Sequence, residues 1–241
     1  MTRINELIIN GRSSADFPFT VYVTNNAGYN YARKKNVLTE TTYGTGAMKN
    51  TIDAYPPIQK PYSIYCPSAT LQDMREITTW IADEGKLVAS DESDVFYEIL
   101  DVEVSDAPLE ATGGYMLDLV FTTMPFGYEV YQGLASYRNG NALINHTNAP
   151  MYPRIDAILH HAITSEEKMR IGNQEVRLNN VSSRIIIECK PFEQNVTDVT
   201  GSLFNSIMAG DFFEIPPNST NIVQLPPQID RIEVLERWAW R

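Results

Sequence analysis

The chain has 241 residues, of which 43% are hydrophobic, and a formal net charge of -11. That apolar share supports ordinary packed cores and argues against a disordered chain. The absence of any run of about 18 apolar residues argues against a membrane-spanning helix, and the acidic balance against a grip on nucleic-acid phosphates, which takes clustered Lys and Arg.

The opening, MTRINELIING, has no apolar signal-peptide core, so folding in a cytoplasm is expected. Cys66 and Cys189 are too few for a disulfide framework and form no CxxC pair, and both read as buried small apolar residues. The charge is uneven. Residues 1–131 carry 18 acidic and 9 basic side chains, a net of -9, and residues 132–241 carry 12 and 10, a net of -2. Solubility explains this in its plainest form. The sharper reading is an acidic surface that repels a polyanion passing close by.

Strand signals dominate in chain order. ELIIN and FTVYVT come first, short and rich in β-branched and aromatic residues. Residues 39–57, TETTYGTGAMKNTIDAYPP, have strand-like ends and carry Gly44 and Gly46 near a tip. The segment reads either as a plain surface loop or as a long hairpin able to reach from one subunit to the next, with Thr42, Tyr43, Gly44, Thr45, Gly46, Ala47, Met48 and Lys49 as the inter-subunit residues. The strand SIYC follows. Next comes a helix of about 14 residues, whose apolar stripe is Leu71, Met74, Ile77, Trp80 and Ile81. Thr70 is its N-cap, Asp73 stands at N3, and Gly85 fits the left-handed stop. VFYEILDVEV and YMLDLVF complete the first half. Pro125 and Gly127 in TTMPFGYEVYQG then mark a boundary, giving domains over 1–131 and 132–241.

In the second half RIDAIL, KMRIG, EVRLN, RIIIE and RIEVLERWAW read as strands, with Gly172-Asn173 as a hairpin turn. GDFFEIPPNSTNIV reads as two strands around a corner. Phe212 or Phe213, Ile215 and Ile222 are its core anchors, and Pro216, Pro217 and Asn218 set the turn.

Catalytic, cofactor and metal signatures are wanting. No GxSxG, HExxH, P-loop or GxGxxG occurs. His160-His161 would point to opposite faces of a strand and do not make a zinc site. Asp91-Glu92 and Glu166-Glu167 lie in turn-like stretches and read as solvated surface rather than a glycosidase pair. The sequons at Asn145, Asn180, Asn195 and Asn218 read as turn chemistry.

The order of these features resembles the distal tail protein (Dit) family of long-tailed phages that infect Gram-positive bacteria. INELIING resembles that family's first strand, and TETTYGTGAMKN its glycine-containing belt hairpin. ITTWIADEGKLVASDESDVFYEILDVEV resembles its helix, acidic turn and aromatic strand, and YMLDLVFTTMPFGYE the strand closing its first domain. INHTNAPMYPRIDAI, GDFFEIPPNSTNIV and IDRIEVLERWAWR resemble its second-domain stretches. Asn218 and His146 stand where the family often has Gly, and Glu188 where many members have Asp.

The resemblance implies a mainly β protein: an N-terminal β-sandwich with one α-helix and a protruding β-hairpin, then a C-terminal galectin-like β-sandwich. It implies a non-enzymatic virion component without cofactors, assembled in the bacterial cytoplasm as a homo-hexameric ring at the tail tip. Its partners would be the tail tube protein, the tail-associated (Tal) hub and receptor-binding proteins, with DNA passing through an acidic channel unbound. With no long insertion in the second domain, extra carbohydrate-binding modules are not expected. The alternative is a carbohydrate-binding module or cell-wall glycosidase. The galectin-like half suggests it, but no clear His-Asn-Arg cluster stands beside Trp238 or Trp240 to support it.

Overall fold

The computed structural model describes residues 5–40, 47–52, 54–110 and 113–241. The fold is mainly β, with antiparallel sheets and, among the described residues, one α-helix. No described helix is long and apolar enough to cross a membrane. The chain divides into two compact units, Met1–Val130 together with Arg241, and Tyr131–Trp240.

The first unit is built on one antiparallel sheet. Its strand order is Arg12–Ser13, Leu7–Ile9, Gly85–Ala89, Val95–Val104, Tyr115–Thr123, Ile58–Cys66 and Tyr22–Asn25. Two neighbouring inner strands, Tyr115–Thr123 and Ile58–Cys66, show the period-2 pattern of a half-buried sheet. Leu117, Leu119 and Phe121 point inward from one, and Ile58, Lys60, Tyr62, Ile64 and Cys66 from the other. SIYC was therefore only the end of a nine-residue strand. Pro61 hid its beginning. It is tolerated because at that position the strand pairs with Val120 on one side, while its other neighbour starts only at Ser63.

The helix covers Leu71–Trp80, ten residues rather than 14. The capping box forms: Asp73 N–H donates to Thr70 Oγ1 at 3.3 Å, and Thr70 N–H to Asp73 Oδ2 at 2.7 Å. Met74, Ile77 and Trp80 lie buried on the sheet, at about 1.5–3 kcal/mol for each side chain. Leu71 sits in the first turn and stays exposed. The helix stops at Ile81, whose backbone becomes extended while its side chain remains in the core. Gly85 is not that stop. It opens the next strand at φ 110°, where a Cβ would lie 1.9 Å from the Asn10 side chain.

The second unit is a sandwich of two five-stranded sheets. One runs Gly133–Tyr137, Ile229–Glu236, Arg154–Leu159, Ile185–Glu188, Asn195–Asp198. The other runs Ala142–Asn145, Ser219–Gln224, Glu167–Ile171, Gln174–Leu178, Met208–Ala209. Their inner faces share one apolar core that includes Ile155, Ile187, Val196, Val223, Ile232 and Val234. Ile229–Glu236 is thus an inner strand of this unit, between Gly133–Tyr137 and Arg154–Leu159.

The Pro-Pro corner rests on a buried amide. Asn145 donates to the Ala149 and Ile215 carbonyls at 3.0 and 3.1 Å, and accepts from the Thr147 N–H and hydroxyl at 2.9 and 2.8 Å. All its hydrogen-bonding capacity is spent inside the fold. Asn218 takes the left-handed conformation at φ 49°, as a residue in a glycine position must. Phe213 and Ile215 are core residues, and Phe212 is half-buried against them. Ile222 is not an anchor. The alternation of Ser219–Gln224 turns Asn221 and Val223 inward, leaving Ile222 exposed.

Candidate functional site

Among the described residues, the strands Asn36–Glu40 and Ala47–Thr51 pair only with each other, in register from Asn36↔Thr51 to Glu40↔Ala47. Every residue of Asn36–Glu40 is exposed, including Val37 and Leu38, and Ile52 is exposed beyond the second strand. A lone two-stranded ribbon with apolar side chains in solvent is marginal in water. Here its base is tied. Ile52 N–H donates to Lys35 O at 2.8 Å, Lys35 N–H to Ala54 O at 2.9 Å, and Thr51 Oγ1 to Asn36 Oδ1 at 2.8 Å.

Of the predicted inter-subunit residues, Ala47, Met48 and Lys49 fall on the second strand. Thr42, Tyr43, Gly44, Thr45 and Gly46 lie outside the described residues. Residues 29–33, which precede the ribbon, hold an aromatic cluster absent from the expected inter-subunit residues. Tyr29 and Tyr31 are exposed, with rings stacked at 6.1 Å. Arg33 lies over the Tyr31 ring at 4.6 Å and donates to its hydroxyl at 2.6 Å. The alternation Tyr-x-Tyr-x-Arg was the available signal, since alternate residues of an extended segment share a face.

The acidity of the first unit is concentrated. Between Lys86 and Arg138 there is no Lys or Arg, and there are ten Asp and Glu. Asp101, Glu103, Asp106 and Glu110 are all exposed on one stretch. Glu92 departs from the solvated-surface expectation. Its carboxylate lies 2.5 Å from the ammonium of fully buried Lys60, which also sits 3.7 Å from the centroid of the Tyr97 ring. Burial, with the Asp91 and Glu92 carboxylates beside it, pushes the Tyr62 hydroxyl's pKa up.

The other candidates disperse. His160 and His161 lie past the end of the strand Arg154–Leu159, not on it. Both N–H groups reach the Gln228 carbonyl, and His160 Nε2 stands 3.2 Å from Asp230. Glu166 and Glu167 face separate partners, Arg177 and Gln228. His146 packs against Trp238 with centroids 4.9 Å apart, and 6.1 Å from Trp240, so one histidine does stand by these tryptophans.

No family model and no curated protein sequence matches the chain. Solved structures do. The crystal structure of the Dit protein of phage SPP1, described as a paradigm of the hub adsorption apparatus in phages infecting Gram-positive bacteria, superposes with a TM-score of 0.72. The match covers 97% of this chain and 99% of that one, at 13% identity. The chain has the fold of a phage Dit protein. A chain of the phage P2 baseplate in its activated conformation with Ca also matches, with a TM-score of 0.55, 8% identity and 98% of both chains covered. Both likenesses extend over the two units of the chain.

Proposed function

We propose that this chain is a structural, non-enzymatic component of a phage tail tip. In this reading it forms a hexameric ring that joins the tail tube to the tail-associated hub and the receptor-binding apparatus. The observation that carries the proposal is the end-to-end likeness to SPP1 Dit, 97% of this chain against 99% of that one. The ribbon Asn36–Glu40 with Ala47–Thr51 supports ring formation. Its apolar side chains and both outer edges lack a partner within the described chain, as an arm waiting for a neighbouring copy does. The stretch between Lys86 and Arg138, acidic and free of cations, supports a channel that lets DNA slide without sticking.

Mass photometry and negative-stain imaging of the purified protein test this reading. The expected result is a six-fold ring with a central hole. Deleting residues 42–49 is expected to yield a folded monomer with unchanged far-UV circular dichroism. A ring that survives the deletion would remove the ribbon from the proposal. A parent protein that stays monomeric, alone and with its tail tube partner, would overturn the ring.

A further inference from the structure

The second unit covers or shortens its sheet edges on one side and leaves them open on the other. The edge of Asn195–Asp198 is covered by the loop that follows it: Phe204 N–H donates to Val196 O at 2.8 Å, and Asp198 N–H to Ser202 O at 3.0 Å. The edge at Met208–Ala209 is only two residues long. Both devices keep a sheet from pairing with another chain. On the other side, Gly133–Tyr137 and Ala142–Asn145 each pair with a single strand among the described residues.

The backbone direction of Ala142–Asn145 follows from one bond. Val223 N–H donates to Asn141 O at 2.8 Å, so these two residues form a hydrogen-bonded pair. Alternation along the ladder then turns the backbone groups of Leu143 and Asn145 toward Asn221 and Ser219. Those of Ala142 and Ile144 point away from the sheet. None of the four residues is charged or a proline, and their ladder has no bulge, so nothing blunts this edge.

The side chains add an apolar strip. Leu143 and Asn145 are buried, while Ala142 and Ile144 are exposed on the outer face, and Ile222 stands opposite Ala142 on that same face. Ile144 is 54% exposed and Ile222 44%. The charge beside the strip is positive. Between Glu129 and Asp156 there is no Asp or Glu, in a chain of net charge -11. Arg138, in the turn that leads into the edge, has a side chain 69% exposed and 3.9 Å from Asp230, a carboxylate shared with Arg231 and His160.

We propose that the edge Ala142–Asn145 accepts a strand from another protein, an extended segment with apolar residues at alternate positions and a carboxylate level with Arg138. Main-chain bonds to Ala142 and Ile144 give the affinity, and apolar side chains laid beside Ile144 give the specificity. The carboxylate sets the register through a charge-assisted bond to Arg138. A second copy of this chain is the poorer occupant, because its edge brings another arginine and no carboxylate. The inference does not rest on the tail-tip reading, since the purified chain and synthetic peptides test it.

The probes are capped, fluorescently labelled octapeptides in which valine alternates with threonine, with two glutamates at one end or the other, and lysines in their place as controls. Anisotropy titration with the full chain is expected to show saturable binding of a glutamate peptide and weaker binding of its lysine control. Methylating one alternate set of the peptide's backbone nitrogens should abolish binding and methylating the other set should leave it, a difference that edge pairing produces. Ile144→Pro removes one outward N–H and should weaken binding about tenfold, the worth of one good hydrogen bond. Ile144→Lys changes only an exposed side chain and should weaken it as well, and Arg138→Glu should reverse the preference between glutamate and lysine peptides. The proposal is overturned if no peptide saturates, if both methylated sets bind alike, or if neither Ile144 variant weakens binding. Self-association of the chain that Ile144→Lys abolishes would also overturn it, by making a second copy the occupant.

Discussion

Arg237 holds Glu188 with both terminal guanidinium nitrogens, at 2.5 and 2.8 Å, tying the segment that follows the last long strand of the second unit to Ile185–Glu188. Burial alone would raise the Glu188 carboxyl's pKa. The two Arg237 bonds and the Lys190 N–H outweigh it, and the pKa ends below its ordinary 4.5. A carboxyl depressed in the folded state stabilises above its unfolded value and loses that contribution as pH falls through the folded one. The second unit should therefore lose stability as pH drops below about 4.5. Arg237→Met should cost about 2 kcal/mol at pH 7 and flatten this acid limb, read by chemical denaturation at several pH values.

Lys60 occupies an inward register position and survives there through Glu92 and the Tyr97 ring. Lys60→Ala should cost about 3–5 kcal/mol, because it strands a half-buried carboxylate and opens a cavity. Lys60→Met with Glu92→Gln should recover most of that loss, measured by urea unfolding. A double variant as unstable as the single one would show that the pair is not what holds this turn.

Both thiols are fully buried. Burial, helped by the Asp73 charge, pushes Cys66 up to about 11, and burial pushes Cys189 up to about 12. Ellman's reagent at pH 8 should find no reactive thiol in the native protein and two in denaturant. Rapid native reaction of either would place it at the surface.

Asn218 offers a test of the corner. At φ 49° glycine fits without strain and alanine does not. Asn218→Gly should be neutral or stabilising by a few tenths of a kcal/mol, and Asn218→Ala should cost about 1 kcal/mol, compared by thermal midpoint.

Much of this fold could be read where one signal acted alone. Met74, Ile77 and Trp80 gave the helix, and Gly172 the hairpin turn, since periodicity and turn chemistry are local. The reading failed where a distant contact decided. Lys60 and Pro61 disguised the start of a central strand, because a partner 32 residues away makes the lysine acceptable and a missing neighbour makes the proline acceptable. Ile222 looked like an anchor next to Val223, and only the register through Gln224↔Arg170 shows which of the two faces the core. Gly85 served a crowded approach to Asn10 rather than a helix end. Residues 39–57 took in the ribbon's second strand but cut off its first, which begins at Asn36, and Tyr29, Tyr31 and Arg33 gave no strand signal because they lie in no strand. Phe192, at φ 69°, was missed because positive φ leaves a mark in a sequence only where Gly or Asn occupies the position.

The strand order of the second unit has a consequence for synthesis. Ile229–Glu236 is the last of its ten strands to be made, yet it lies between Gly133–Tyr137 and Arg154–Leu159, with Gly133 opposite Glu236. Until it leaves the ribosome, two strands wait with open edges and a half-filled core, and pairing across some hundred residues makes closure slow. A chain released early would carry sticky edges in place of a sandwich. A second unit without this strand is thus exposed to aggregation or proteolysis.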